Sequence, residues 1–393
     1  QKFTPELPCV VVDGHAAHRA ELAESWPAAD LVVTSYDLLR RDEALYEGQE
    51  FYACILDEAQ AIKNHTTQKY KAVCKVRSRV RFALTGTPVE NRLGELWSIF
   101  SFLMPGYLPP YKSFCSQFEK PIVQEEDQTA VRRLNQLTGP FILRRMKSDV
   151  LKELPPKTEN VYRIELEEEQ RKLYLAAVVD AREKLQAAKP EDKMAVFAVL
   201  MRLREICCDP RLIADNWEGG SAKLDACVEL VSSAVEGGHR ILLFSQFTSM
   251  LELLAKRLDA EGISHFTLQG STPKPVRAEL VRRFNGGEVS VFLISLRAGG
   301  TGLNLTAADI VIHYDPWWNV AAQNQATDRA YRIGQQNPVQ VYKLIAQDTI
   351  EEKIVELQQA KQSLADTVTG TADGAILSMR PDELLQLLEG SEP

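Results

Sequence analysis

Short, β-rich apolar runs alternate with helical patterns along most of this chain, and polar or Gly/Pro punctuation closes the runs. In the first part they are PCVVVDG, ADLVVTSYDLL, FYACILDEAQ and RVRFALTGTP. In the last part they are RILLFS, HFTLQG, VSVFLIS, DIVIHYD and VQVYKLIA. Helical periodicities lie between them, for example over residues 66–75. This alternation predicts βαβ units, an α/β fold and parallel sheets. Pieces such as ACIL, apolar at successive residues, are what a strand covered on both faces requires.

The alternation is interrupted twice. Residues 93–140 turn helical and irregular, broken at Pro105, Pro109 and Pro110. Residues 165–206 read as two long helices parted by Lys189 and Pro190. Between these lies FILRRMKSDVLKELPPK, residues 141–157, a basic stretch with a Pro-Pro stop that reads as an inter-domain connector. The reading is two α/β domains with helical insertions and a helical tail from Thr349, broken at Gly370–Gly374.

A chain of 393 residues, 45% hydrophobic and 25% charged, fits two or three globular domains. No apolar run approaches the ~18 residues of a membrane span, so no membrane partner is expected. The seven cysteines lack CxxC spacing and read as reduced, half-buried thiols. A formal charge of −8 does not advertise nucleic-acid binding. Phosphate contact needs a local basic groove, however, not a basic total.

Four segments carry chemistry. Asp57-Glu58 ends an apolar run, where α/β sheets face their ligands. There an Asp can hold Mg²⁺ through water and a neighbouring Glu can orient or deprotonate an attacking water. Alone, the pair reads equally as a solvated acidic turn. LTGTPVEN places Thr85 and Thr87 at a turn, as phosphate sensors, a link between domains, or plain turn residues. RAGGTGLNL follows a strand and offers backbone N–H groups that can approach phosphate, but its glycines do not fit a dinucleotide fingerprint. QATDRAYRIGQ sets Arg329 and Arg332 three positions apart, which places both on one face of a helix. Guanidinium groups suit the charge on a transferring phosphoryl group. Trp317 and Trp318 read as core residues, or as a surface for a nucleic-acid strand.

The order of these blocks carries a resemblance. DEAQAIKN, LTGTPVEN, FILRRMKSDVLKELPPK, MRLREICCDPRLI, SAKLD, ILLFSQF, LQGSTPKPVR with RRFN, SLRAGGTGLNLTAADIVIHYDPWWN and QATDRAYRIGQ resemble the Swi/Snf family. Its members are helicase-superfamily-two ATPases that translocate on double-stranded DNA. The resemblance covers residues 5 to 365, and the short loops and DEAQ form look like the bacterial branch. It implies two RecA-like parallel-sheet domains with helical protrusions. Residues 1–140 would be a partial first domain with its protrusion at 92–140, and 141–157 the connector. Residues 158–370 would be the second domain with its protrusion at 165–206, and 371–393 the tail.

Carried over by position, the resemblance makes Asp57 the magnesium-binding acid and Glu58 the water-activating residue. Arg329 and Arg332 become arginine fingers from the second domain, with Gln325 near the nucleotide. Gly300 and Thr301 lie in the block coupling ATP to DNA, and Thr85 and Thr87 join hydrolysis to movement. Thr272, Arg277, Arg297 and Trp317 become candidates for the DNA backbone. ATP and Mg²⁺ are the implied cofactors, and protein–DNA complexes in the cytoplasm or nucleoid the implied targets.

Members also carry a Walker A loop upstream of DEAQ, and this chain contains no G-x-x-x-x-G-K-[ST] stretch. The expectation is a truncated first domain with an exposed strand edge and apolar surface, and a chain inactive by itself. The alternative is a non-catalytic nucleic-acid-binding or interaction fragment. An RNA helicase of the DEAD-box kind is disfavoured by DEAQ and RAYRIGQ.

Overall fold

The structure, a computed structural model, describes residues 5–86, 93–125, 127–143, 145, 147, 151, 153–189, 192–214, 216–299, 302–358 and 381–389. The chain divides into two compact units that meet in sequence at Leu143 and Arg144.

In the first unit, β1 (Cys9–Val11) pairs in parallel with β2 (Leu31–Val33). Strand β3 (Glu50–Leu56) pairs in parallel with β4 (Arg77–Ala83). One face of this region is well packed: Val12, Trp26, Leu56, Ile62 and Val73 share a core. Other apolar side chains here are exposed, including Tyr52, Phe82 opposite Ile55, and Val33 opposite Val11. Ile55 is 59% exposed, which corrects the expectation that ACIL is covered on both faces. Helices Leu93–Leu103, Tyr111–Phe114, Lys120–Gln124 and Gln128–Thr138 build a core of their own around Phe100, Phe114, Phe118 and Leu134.

The second unit is organised on a six-stranded sheet in which every described pairing is parallel. Its strands are β5 (Lys157–Ile164), β6 (Ile241–Ser245), β7 (His265–Leu268), β8 (Val291–Ser295), β9 (Ile310–His313) and β10 (Val339–Ala346). Their order is β5-β10-β9-β6-β8-β7. Successive residues of a strand point to opposite faces, and both faces here are covered. Ile241 and Leu243 of β6 enter one core with Val291, Leu293, Ile310 and Ile312. Leu242 and Phe244 enter the other with Phe292, Ile294 and Val311. This two-sided burial is why ILLFS, VFLIS and IVIH show no polar alternation.

The expected pair of long helices forms as Glu168–Ala187 and Lys193–Cys208. It packs with Trp318, Ile350 and the C-terminal helix Pro381–Glu389, through Leu384 and Leu388. The described cysteines are all free; Cys207, Cys208 and Cys227 are fully buried and Cys9 is exposed. Among the described residues, no helix is long and apolar enough to cross a membrane.

His313 closes β9 with its ring stacked on Phe244, centroids 5.7 Å apart. Its Nε2 lies 2.9 Å from Thr327 Oγ1 at the end of helix Val320–Thr327. Burial lowers the His313 pKa to about 3, against about 6.5 for a free imidazole. The native state thus binds fewer protons than the unfolded chain. This group's stabilisation is complete above the unfolded pKa and is lost as pH falls toward 3. Between about pH 7 and pH 5 it should cost about 2 kcal/mol. Urea unfolding at the two pH values measures it, and His313→Gln should flatten that part of the profile.

Candidate functional site

Each unit contributes candidate residues, and each set is held by its own hydrogen bonds. In the first unit, the β3–β4 pairing continues past the strand ends. Leu84 N donates to Leu56 O at 2.7 Å and Ala59 N to Leu84 O at 2.9 Å. Asp57 and Glu58 therefore leave the carboxyl end of β3 directly beside Thr85. Glu58 adopts a left-handed backbone with φ 49°, which is uncommon for a residue with a side chain and costs on the order of 1 kcal/mol. It turns the chain into the short 3-10 helix Ala59–Ile62.

The side chains then lock together. Gln60 Nε2 donates to Glu58 Oε2 at 2.5 Å, while Thr85 Oγ1 donates to Gln60 Oε1 at 2.8 Å. The orientation of that amide is forced, because a flipped Gln60 would turn its carbonyl oxygen toward a carboxylate. Asp57 is fixed at both backbone and side chain: Tyr36 OH donates to Asp57 O at 2.8 Å, and Glu58 N donates to Asp57 Oδ1 at 3.0 Å. Burial, then the neighbouring charge of Asp57, raises the Tyr36 pKa and keeps its hydroxyl protonated. The sequence reading missed Gln60 and Tyr36. Gln60 had a signal in its position two residues after Glu58, whereas nothing in the TSYD segment flagged Tyr36. Thr87 lies outside the described residues.

In the second unit, Asp315 follows β9 and is buried. It accepts from Ser245 Oγ at 2.6 Å, from Gln246 N at 3.2 Å and from Arg204 Nη2 at 3.1 Å. Arg204 Nη2 also donates to Pro316 O at 2.5 Å. Its guanidinium lies 4.7, 5.6 and 5.8 Å from the ring centroids of Trp318, Phe247 and Trp317. Arg204 is 0% exposed. Burial raises the Asp315 pKa, and the Arg204 charge opposes that shift. Trp317, a DNA candidate, is half-buried in this stack, and Trp318 is buried.

Asn319 caps the next helix, its Oδ1 accepting from Ala322 N at 2.6 Å. The helix carries Gln325 and stops at Thr327. This corrects the expectation that Arg329 and Arg332 share a helical face, since both lie in the turns beyond it. Arg329 N donates to Ala326 O and Ala330 N to Thr327 O, tighter turns than the helix makes, and long-range bonds hold the segment. Arg329 O accepts from Leu305 N at 3.0 Å rather than from a later residue of the same helix. Gln335 Nε2 also ties Ala330 O (3.1 Å) to Ala308 O (2.7 Å). Arg332 Nη1 approaches Leu303 O at 3.5 Å. The arginine segment is thereby joined to the end of RAGGTGLNL. Arg329 is 7% exposed and Arg332 is exposed.

Thr272, Arg297 and Trp317 follow the carboxyl ends of β7, β8 and β9, at one edge of the sheet. Thr272 Oγ1 accepts from Gln269 N at 3.1 Å. Arg277 is half-buried on helix Lys274–Asn285. Gly300, Thr301 and the Arg297 side chain lie outside the described residues.

Residues 1–212 match the sequence family described as SNF2-related domain, and residues 222–334 match the helicase conserved C-terminal domain. The chain belongs to the SNF2-related family. This SNF2-related chain is 38% identical over 394 residues to an uncharacterized ATP-dependent helicase of Mycoplasma genitalium, covering 99% of the chain and 37% of that protein. It is 36% identical over 408 residues to a mouse SWI/SNF-related, matrix-associated, actin-dependent regulator of chromatin (subfamily A member 1), covering 99% of the chain and 39% of that relative. The chain thus spans about two fifths of the length of these relatives. Among solved structures, the Sulfolobus solfataricus SWI2/SNF2 ATPase core domain matches with a TM-score of 0.52 and 34% identity, over 99% of this chain and 80% of that one. Two RecA-like domains are the architecture consistent with that match and with the parallel sheets.

Two outcomes follow from the site geometry. Gln60→Glu would set carboxylates at positions 58 and 60 against each other, so an NMR carboxyl titration should show an apparent pKa raised by about one unit or more. Arg204→Met would leave Asp315 buried without its cation and should cost about 3–5 kcal/mol in urea unfolding, with partial recovery in the Arg204→Met/Asp315→Asn double variant.

Proposed function

We propose that the protein is an ATP-driven motor of the Swi/Snf type. It translocates along double-stranded DNA without separating the strands and remodels protein–DNA complexes. The observation that carries this reading is the Glu58–Gln60–Thr85 arrangement at the carboxyl end of β3, in a chain of the SNF2-related family. A carboxylate oriented by an amide is suited to aligning a water molecule and accepting its proton.

Asp57 fits magnesium as a single hard carboxylate beside nucleotide phosphates and water. Among the described residues there is no cluster of three His, Cys, Asp or Glu that would favour a caged metal instead. When bound, the ion would neutralise charge on the phosphates. Glu58 would position the attacking water, with its carboxylate aligned by Gln60. Arg332, the exposed guanidinium of the second unit, would stabilise charge on the transferring phosphoryl group, with Arg329 supporting it and Gln325 near the nucleotide. Thr85, bonded to Gln60, would register the state of Glu58, and Thr87, Gly300 and Thr301 would pass it on. Thr272, Arg277, Arg297 and Trp317 would meet the DNA backbone, and three of the four follow strand ends at one sheet edge.

Phosphate release by the full-length protein, with and without duplex DNA, tests the reading. Duplex DNA should stimulate release, and Glu58→Gln should reduce it by about 100-fold or more while ATP binding persists. Undiminished release in that variant would remove Glu58 from its role.

A further inference from the structure

The connector does more than join two units in sequence. At one end, Lys147 Nζ lies 2.6 Å from Asp328 Oδ1 and donates to Tyr331 O at 3.3 Å. The same ammonium sits 6.0 Å from the centroid of the Tyr331 ring. At the other end, Lys157 Nζ sits 5.9 Å from that ring and is anchored to the sheet through Glu159, which also binds Lys343 of β10. Two connector lysines therefore bracket Tyr331, the residue between Ala330 and Arg332.

Asp328 gives this contact its purpose. It is the C-cap of helix Val320–Thr327, where unpaired carbonyls already concentrate partial negative charge, so a carboxylate there is electrostatically misplaced. Lys147 neutralises it and spans two acceptors on either side of Arg329. The pair is well exposed, at 43% and 39% of the side chains, so little global stability rests on it. Its effect is geometric. The segment from Asp328 to Gln335 leaves the helix, and among the described connector residues Lys147 and Lys157 contact it, Lys147 through an ion pair and a hydrogen bond.

We infer that Lys147 is a positioning residue. It ties the arginine segment to the connector, so that the connector's placement sets how Arg332 is presented. This rests on the reading of Arg332 as a phosphate-facing group. It adds a control point that neither DEAQ nor RAYRIGQ contains.

Amide hydrogen exchange across residues 328–335, together with steady-state ATP turnover by the full-length protein, tests it. Lys147→Ala should speed exchange of the Arg332 and Gln335 amides several-fold with an unchanged thermal midpoint. It should also lower kcat by about tenfold at unchanged KM for ATP, as expected of a misplaced charge-stabilising group. Lys147→Arg should restore both quantities. Unchanged exchange or unchanged kcat in Lys147→Ala overturns the inference, and so does failure of Lys147→Arg to rescue. If the wild-type protein hydrolyses no ATP, the functional reading fails, while the exchange measurement still decides whether Lys147 holds the segment.

Discussion

The second unit depends on one buried carboxylate. Asp315 joins the carboxyl ends of β6 and β9, through Ser245 and Gln246, to the helix that supplies Arg204. Burying two charges is expensive, and their attraction repays it only when geometry and further hydrogen bonds are good. Here Asp315 has three donors, and the guanidinium meets aromatic faces where hydrogen bonds are lacking. The tryptophans, the helical pair and the start of helix Val320–Thr327 all take their places from this joint. The arginine segment follows directly on that helix.

A second fully buried pair repeats the device. Lys223 and Glu351 are both 0% exposed, and Glu351 Oε2 also accepts from Ala346 N at 2.9 Å. It joins helix Ala222–Glu236 to the chain just beyond β10. Apolar strands supply the bulk of the core but pack without strong directional preference. The two ion pairs add direction, fixing which helix end meets which strand end.

Much of the fold was legible. Each β-rich run became a strand; in the second unit two-sided burial imposes the apolar runs, whereas β5, with the pattern KTENVYRI, has no such run and was not read. The helical pair and the separate helical core at 93–138 were also readable from periodicity and proline breaks. The errors and omissions share one cause. NVAAQNQATDRAYR has helical character throughout, yet the helix ends at Thr327, and the segment beyond it is held by distant partners such as Leu305, some two dozen residues earlier, whose N–H donates to the Arg329 carbonyl. Tyr36, Arg204 and Lys147 act on Asp57, Asp315 and Asp328, partners 21, 111 and 181 positions away. Local pattern contains no trace of such pairings. Asp57, Glu58 and Thr85 were singled out because their block order carried the family resemblance. Gln60 was passed over although it stands inside the best motif.

That glutamine has a consequence for what the first unit can transmit. A carboxyl or imidazole between Glu58 and Thr85 could take a proton from one side and release it on the other. A primary amide does neither near neutral pH. Its nitrogen end only donates and its oxygen end only accepts, so the link conveys alignment and no proton. A proton on Glu58 therefore cannot pass through Gln60 toward Thr85. The link to Thr85 carries the position of the carboxylate, and the same carboxylate sets which way the Gln60 amide faces.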